Sequence, residues 1–221
     1  MQTIVISLGG SIITPDKIDT KFLKQFKNTI NKFKHYKFII VCGGGKTARN
    51  YIEAGKKENL SIKDLSLLGI LSTRLNAELV AEMFNQDTVP ITNNQLYRMK
   101  ERIIVCGALG ERPGMTSDAN AAELAKALKA KYFINMTNVS GLYTDDPKKN
   151  KKAKLIEIIS AKEFHKIIQK IKFKAGQHFV LDQKASAIIL KHKIPTLIIK
   201  GNENLKLILE NKPFTGTIIF S

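Results

Sequence analysis

The chain has no tryptophan, two cysteines, four histidines and only five arginines among its 36 basic residues. Each scarcity excludes something. Cys42 and Cys106 form no Cys-x-x-Cys pair, and each directly precedes a glycine at the end of an apolar run. Such thiols read as reduced packing residues rather than a disulfide framework or a metal knot. His35, His165, His178 and His192 are scattered without ligand spacing, so no dedicated metal site is expected. No apolar run approaches the roughly 20 residues that cross a bilayer. No basic-then-apolar leader precedes the first strand pattern. The expectation is a soluble, cytoplasmic protein with no membrane partner.

Lysine is what the chain has in excess, and the net charge is +17. Such a charge attracts anions and raises the question of nucleic acid. The lysines, however, fall on polar helical faces, as at Lys21, Lys24, Lys27, Lys32 and Lys34, without interleaved arginine and aromatic residues. They read as solvated faces, as does the run Lys148-Lys149-Asn150-Lys151-Lys152. A basic nucleic-acid-binding regulator therefore stands as an alternative, not as the leading reading. With 221 residues, 43% of them hydrophobic, the chain reads as one domain, 1–221, that buries a substantial core.

Short apolar runs alternate with helix-length segments. Thr3–Leu8, Phe38–Cys42, Thr88–Ile91, Ile103–Cys106, Tyr132–Met136, Thr196–Ile199 and Thr217–Phe220 read as strands. Phe22, Phe26, Ile30 and Phe33 mark one face of a helix over 19–33. Helices are also expected over 46–57, 66–84, 118–128, from Phe164 to Ile171, and over 180–190. Asp118 is placed to cap the alanine-rich helix. Strands separated by helices imply parallel pairing, hence an α/β fold: a three-layer αβα sandwich with a mainly parallel central sheet. Ligands in such folds collect at the carboxyl ends of the strands.

Four polar turns occupy those ends. Gly9-Gly10-Ser11 follows the first strand, and Gly43-Gly44-Gly45-Lys46 follows the second, with Arg49 close behind. Glycine lets backbone N–H groups approach phosphate oxygens, and a following helix start favours anions. The third turn runs from Gly107 to Asp118, with hydroxyls at Thr116 and Ser117. The fourth, Thr137 to Pro147, offers Tyr143 for stacking and Asp146 as a hydrogen-bond acceptor. The position five residues before Gly45 is Ile40, so Gly45-Lys46-Thr47 is no P-loop. Gly43, Gly45 and Ala48 fit the dinucleotide fingerprint, with Asp64 about 20 residues on; a dinucleotide-binding protein is a further alternative.

Five motifs then occur in order: Gly-Gly-Ser, Gly-Gly-Gly-Lys-x-Ala-Arg, Gly69 through Thr73-Arg74 to Ala77, Pro113 through Asp118-Ala119, and Thr137-Asn138-Val139-x-Gly141-x-Tyr143-x-x-Asp146-Pro147. Over nearly its whole length the chain resembles the amino acid kinase superfamily, most closely the archaeal type of uridylate kinase. The resemblance implies transfer of a phosphoryl group from ATP, accompanied by Mg2+, to UMP in pyrimidine nucleotide biosynthesis. It also implies a homo-oligomer, a hexamer in the family.

The resemblance assigns residues as follows. Gly9, Gly10, Ser11, Gly45 and Arg49 would meet the ATP phosphates, and Thr137, Asn138, Tyr143 and Asp146 the ATP nucleoside. Gly44, Ser66, Thr73, Arg74, Glu111, Arg112, Pro113, Gly114, Met115, Thr116 and Ser117 would form the UMP side. Lys46, Asp118 and Asp182 would be the catalytic group. The acceptor part would span about 1–136 and the ATP-nucleoside part about 137–221. Three positions depart from the family pattern. Ser7 stands where many members carry lysine, leaving that charge to Lys46. Ser66 replaces an aspartate that contacts the UMP ribose, and Glu111 replaces a small hydroxyl residue. Another phosphorylated or carboxylate acceptor is the alternative these departures raise.

Overall fold

The computed structural model describes residues 1–112, 114–147, 149–170 and 180–220. In chain order the elements are β1 Gln2–Leu8, α1 Gly10–Ile13, α2 Thr20–Lys32, β2 Tyr36–Cys42, α3 Gly45–Lys57, α4 Ile62–Met83, α5 Asn93–Arg98, β3 Ile103–Cys106 and α6 Ser117–Ala127. There follow β4 Tyr132–Met136, β5 Leu142–Tyr143, β6 Leu155–Ile156, β7 Ile158–Ser160, α7 Ala161–Lys170, α8 Gln183–His192, β8 Thr196–Ile199, α9 Gly201–Leu209 and β9 Gly216–Phe220.

Seven strands form the main sheet in the order β3-β2-β1-β4-β8-β9-β7. The first five run parallel to one another, and β9 returns antiparallel to β8. The strands are largely apolar because both faces are covered, as parallel sheets require. Alternate residues serve opposite layers. Val5, Ile39, Val41, Ile104 and Phe133 pack with Ala121, Leu124, Phe164, Ile168 and Ile189 from α6, α7 and α8. Ile4, Ile6, Phe38, Ile40 and Ile134 pack with Leu23, Phe26, Ile30, Val80 and Leu205 from α2, α4 and α9. The expected αβα sandwich is therefore what forms.

Three local expectations are corrected. Thr88–Ile91 is not a strand. Gln86 takes its place beside β3: its side-chain carbonyl accepts the Val105 N–H at 2.7 Å, and its amide donates to the Val105 carbonyl at 2.9 Å. One buried side chain thus performs the pairing a strand residue would, while Pro90 cannot donate at all. Asp118 is not the cap of α6; Thr116 is, accepting the Ala119 N–H at 3.1 Å. Helix α4 begins four residues earlier than its apolar pattern, because Ser61 accepts the Asp64 N–H and starts it at Ile62. The expected helix residue Ile171 lies outside the described residues.

Since β3, β2, β1, β4 and β8 are parallel, their carboxyl ends share one edge of the sheet. The turns at Gly107, Gly43, Gly9, Thr137 and Lys200-Gly201 therefore stand in a row.

Candidate active site

The centre of that row is a contact between two backbones. The Gly9 N–H donates to the Met136 carbonyl at 3.0 Å, and the Gly43 N–H to the Leu8 carbonyl at 2.9 Å. These bonds tie the first turn to β4 and the second turn to β1. A side chain on Gly10 would put its Cβ 2.0 Å from the Gly45 nitrogen and 2.7 Å from the Gly43 carbonyl carbon. Gly45 has φ +61°, and its own Cβ would lie 2.1 Å from the Gly10 oxygen. Only residues without a Cβ can meet in this way. The Lys46 N–H is held by the Thr14 carbonyl at 3.0 Å, which fixes the start of α3 against the end of α1. The side chains of Lys46 and Arg49 are half-buried in α3 and make no ion pair among the described residues.

Helix α4 braces the row from behind. Gly69 and Ser72 abut Gly44. Asn76, buried, donates through its amide to the Gly43 carbonyl at 2.7 Å and to the Gly44 carbonyl at 3.2 Å. Thr73 accepts the Ala108 N–H at 2.8 Å, while Arg74 donates to the Ala108 and Gly110 carbonyls at 3.3 and 3.2 Å. Thr73 and Arg74, expected on the UMP side, thus hold the third turn in place. Ser66 sits half-buried one helical turn before Gly69. Asp64 is exposed and accepts the Ser61 hydroxyl at 2.6 Å. It is a helix-start residue, and the dinucleotide reading loses its ribose acceptor.

Carboxylates gather where the third turn meets the second half of the chain. Ser7, fully buried in β1, donates its hydroxyl to Asp118 at 2.6 Å. Thr116 donates its hydroxyl to Asp182, whose other oxygen accepts the N–H groups of Lys184 and Ala185 at 2.7 and 2.9 Å and so caps α8. Lys184 donates to the Gly114 carbonyl at 2.8 Å. Burial pushes the Asp118 carboxyl up to about 7, and the neighbouring Asp182 charge pushes in the same direction; the Ser7 hydrogen bond opposes both. Lys46, Asp118 and Asp182 were expected as one group. Asp182 lies near enough for its charge to act on Asp118, with Thr116 and Ser7 as their respective hydroxyl partners.

The other residues expected on the acceptor side lie in the third turn and at the start of α6. Glu111 is exposed, and Arg112 pairs with Glu123 at 2.9 Å and with Asn120 at 3.2 Å, which pins the loop to α6. The Met115 N–H donates to the Arg112 carbonyl at 3.0 Å, and Ser117 opens α6. Pro113 lies outside the described residues. In the fourth turn the Thr137 N–H donates to the Ile199 carbonyl at 2.9 Å. Half-buried Tyr143 sits in the β5–β6 hairpin, anchored by the Thr217 hydroxyl, which accepts the Leu142 N–H at 2.8 Å. The Asp146 carbonyl accepts the Lys149 and Asn150 N–H groups, and Asp145 holds the Asp146 N–H at 2.7 Å. Among the described residues, no group of three or more His, Cys, Asp or Glu side chains could hold a metal ion.

Parallel strands that end in two fused glycine turns, a lysine-bearing helix start and two neighbouring carboxylates suit a site that handles phosphoryl groups. Residues 2–200 match the model of the amino acid kinase family, and the chain belongs to that family. It is 39% identical over 210 residues to a uridylate kinase of Pyrococcus abyssi, covering 92% of both chains. It is 34% identical over 223 residues to a uridylate kinase of Methanocaldococcus jannaschii, covering 98% of both. The solved uridylate kinase of Archaeoglobus fulgidus superposes with a TM-score of 0.86 at 33% identity, over 99% of this chain and 100% of the other.

The Asp118 pair gives a pH test. Unfolded, this carboxyl titrates near 3.8; folded, near 7. Between these values the folded form binds more protons, so its contribution to stability falls as pH rises through that window, by at most about 1.4 kcal/mol per pH unit. Asp118→Asn should therefore gain stability relative to the wild type between pH 4 and pH 8, measured by urea unfolding. Parallel pH profiles for the two proteins would contradict the assignment.

Proposed function

We propose that the protein transfers the γ-phosphoryl group of ATP to UMP, giving ADP and UDP, as a nucleoside monophosphate kinase of pyrimidine nucleotide biosynthesis. The single observation that carries this reading is the fusion of the two glycine turns. It brings a donor-side turn and an acceptor-side turn within one van der Waals contact of each other, beside the Lys46 helix start. The uridylate kinases to which the chain is similar supply the acceptor's identity.

In this reading Gly9, Gly10, Ser11, Gly45 and Arg49 bind the ATP phosphates, and Thr137, Asn138, Tyr143 and Asp146 its nucleoside. Gly44, Ser66, Thr73, Arg74 and residues 111–117 form the UMP side. The single domain divides into an acceptor part, about 1–136, and an ATP-nucleoside part, about 137–221. ATP enters as its Mg2+ complex, so the metal is carried by the substrate phosphates. An ionised UMP phosphate oxygen attacks the γ-phosphorus in line as the bond to the ADP oxygen breaks. The acceptor has no proton to lose, so positioning and charge neutralisation carry the reaction. Lys46 and the N–H groups of the second turn face the charge that develops; one such donor is worth roughly 3 kcal/mol. Asp118 and Asp182 complete the catalytic group with Lys46, and Asp182 also holds Thr116 of the acceptor loop.

The test is incubation with Mg-ATP and a panel of nucleoside monophosphates, with the products identified. UDP alone is the expected product, and Lys46→Ala should lower turnover about 100-fold. Phosphorylation of a different acceptor, or of none, would overturn the reading.

We also propose a cytoplasmic homo-oligomer, six chains by resemblance. Buried, unoxidised Cys42 and Cys106 favour a reducing compartment. Leu67, Leu71, Leu75 and Leu79 recur every four residues along α4 and are exposed, Leu75 at 61%. A second copy of the chain would cover this stripe. Light scattering should report a mass of six chains, and a monomer that stays active would contradict the assembly.

A further inference from the structure

We propose that Asn76 is a positioning residue for phosphoryl transfer: by holding the Gly43 and Gly44 carbonyls against α4, it turns the Gly44 and Gly45 N–H groups toward the reacting phosphates. This rests on reading the second turn as the place where the phosphoryl group passes.

Asn76 lies in the middle of α4, 4% exposed, at a position where a helix gains nothing from asparagine. Its amide carries two hydrogens, and both acceptors it reaches are consecutive carbonyls of one turn, at 2.7 and 3.2 Å. The neighbouring hydroxyls of α4 do not do this job. Ser72 donates to the Leu68 carbonyl and Thr73 to the Ile70 carbonyl, both within their own helix.

Peptide geometry carries the consequence. Every peptide here is trans, so the C=O and N–H of one unit point in opposite directions. Fixing the Gly43 carbonyl toward α4 aims the Gly44 N–H away from it, and fixing the Gly44 carbonyl does the same for the Gly45 N–H. Gly44 is right-handed, with φ −81° and ψ −26°, and Gly45 follows at φ +61°. A right-handed residue followed by a left-handed one makes successive N–H groups converge on an anion. The next N–H, of Lys46, is already engaged by Thr14. Among the described residues the Gly44 and Gly45 N–H groups have no hydrogen-bond partner. The amide of Asn76 therefore sets the direction of two donors that it does not touch.

The experiment compares Asn76→Asp, Asn76→Ser and the control Gln86→Met by steady-state kinetics and urea unfolding. Aspartate has no hydrogen to give and faces two carbonyl oxygens; serine has one hydrogen on a shorter stem. Gln86 is also a buried amide bridging backbone carbonyls, those of Thr88 and Val105, but lies beside β3. The expected result is a fall in kcat of about 100-fold for Asn76→Asp and about 10-fold for Asn76→Ser, with KM for ATP and UMP held within about threefold. Gln86→Met should lose comparable stability and keep its kcat. Should Asn76→Asp fail to fold, Asn76→Ser decides. A folded Asn76 variant with unchanged kcat, or an equal loss in Gln86→Met, would overturn the role while leaving the kinase reading intact. Absence of UDP from the wild type would overturn the kinase reading and this role together.

Discussion

The contact between Gly10 and the Gly43–Gly45 turn is the constraint on which the site depends. Two backbones approach more closely there than any side chain allows. The approach follows from the sheet: β1 and β2 are parallel neighbours in register from Gln2 opposite Tyr36 to Leu8 opposite Cys42, so they end side by side. Glycine at both ends lets the chain turn into α1 and α3 without separating them. The Lys46–Thr14 bond then locks the two helix starts together. Burial of the strands on both faces adds to these bonds in holding this edge together.

A second set of bonds joins β1, the third turn, α6 and α8. Ser7 to Asp118 connects β1 to α6, Thr116 to Asp182 connects α6 to α8, and Lys184 to Gly114 closes the loop over them. Burial, and after it the Asp182 charge, favour a proton on Asp118, while the Ser7 hydroxyl opposes them.

β1, β2, β3, β4, β8 and β9 are legible in the sequence as short, largely apolar runs, three of them ending at glycine, whereas the three-residue β7, Ile158–Ser160, is too short to show a pattern. The glycine turns and the family motifs likewise lay in short, contiguous stretches. What could not be read depended on contacts between distant residues. Gln86 fills a strand position through its side chain, so a pattern of backbone propensity placed a strand at Thr88–Ile91. Asp118 looked like a cap because the cap, Thr116, stands only two residues earlier. Thr73 and Arg74 read as acceptor-side residues, but their bonds to Ala108 and Gly110, more than 30 residues away, had no local signal. Asn76 carried one local signal, a polar amide in a helix interior, and nothing in the sequence said which carbonyls it would find.

The most direct measurement of the central claim substitutes Gly10 by alanine and compares it with Gly69→Ala. A methyl group at Gly69 would meet only the end of Ile52 at 3.5 Å, whereas at Gly10 it would collide with the backbone of the second turn. The account predicts that Gly10→Ala loses phosphoryl transfer by at least about 100-fold and that Gly69→Ala stays near wild-type turnover. Gly10→Ala with undiminished turnover would contradict it.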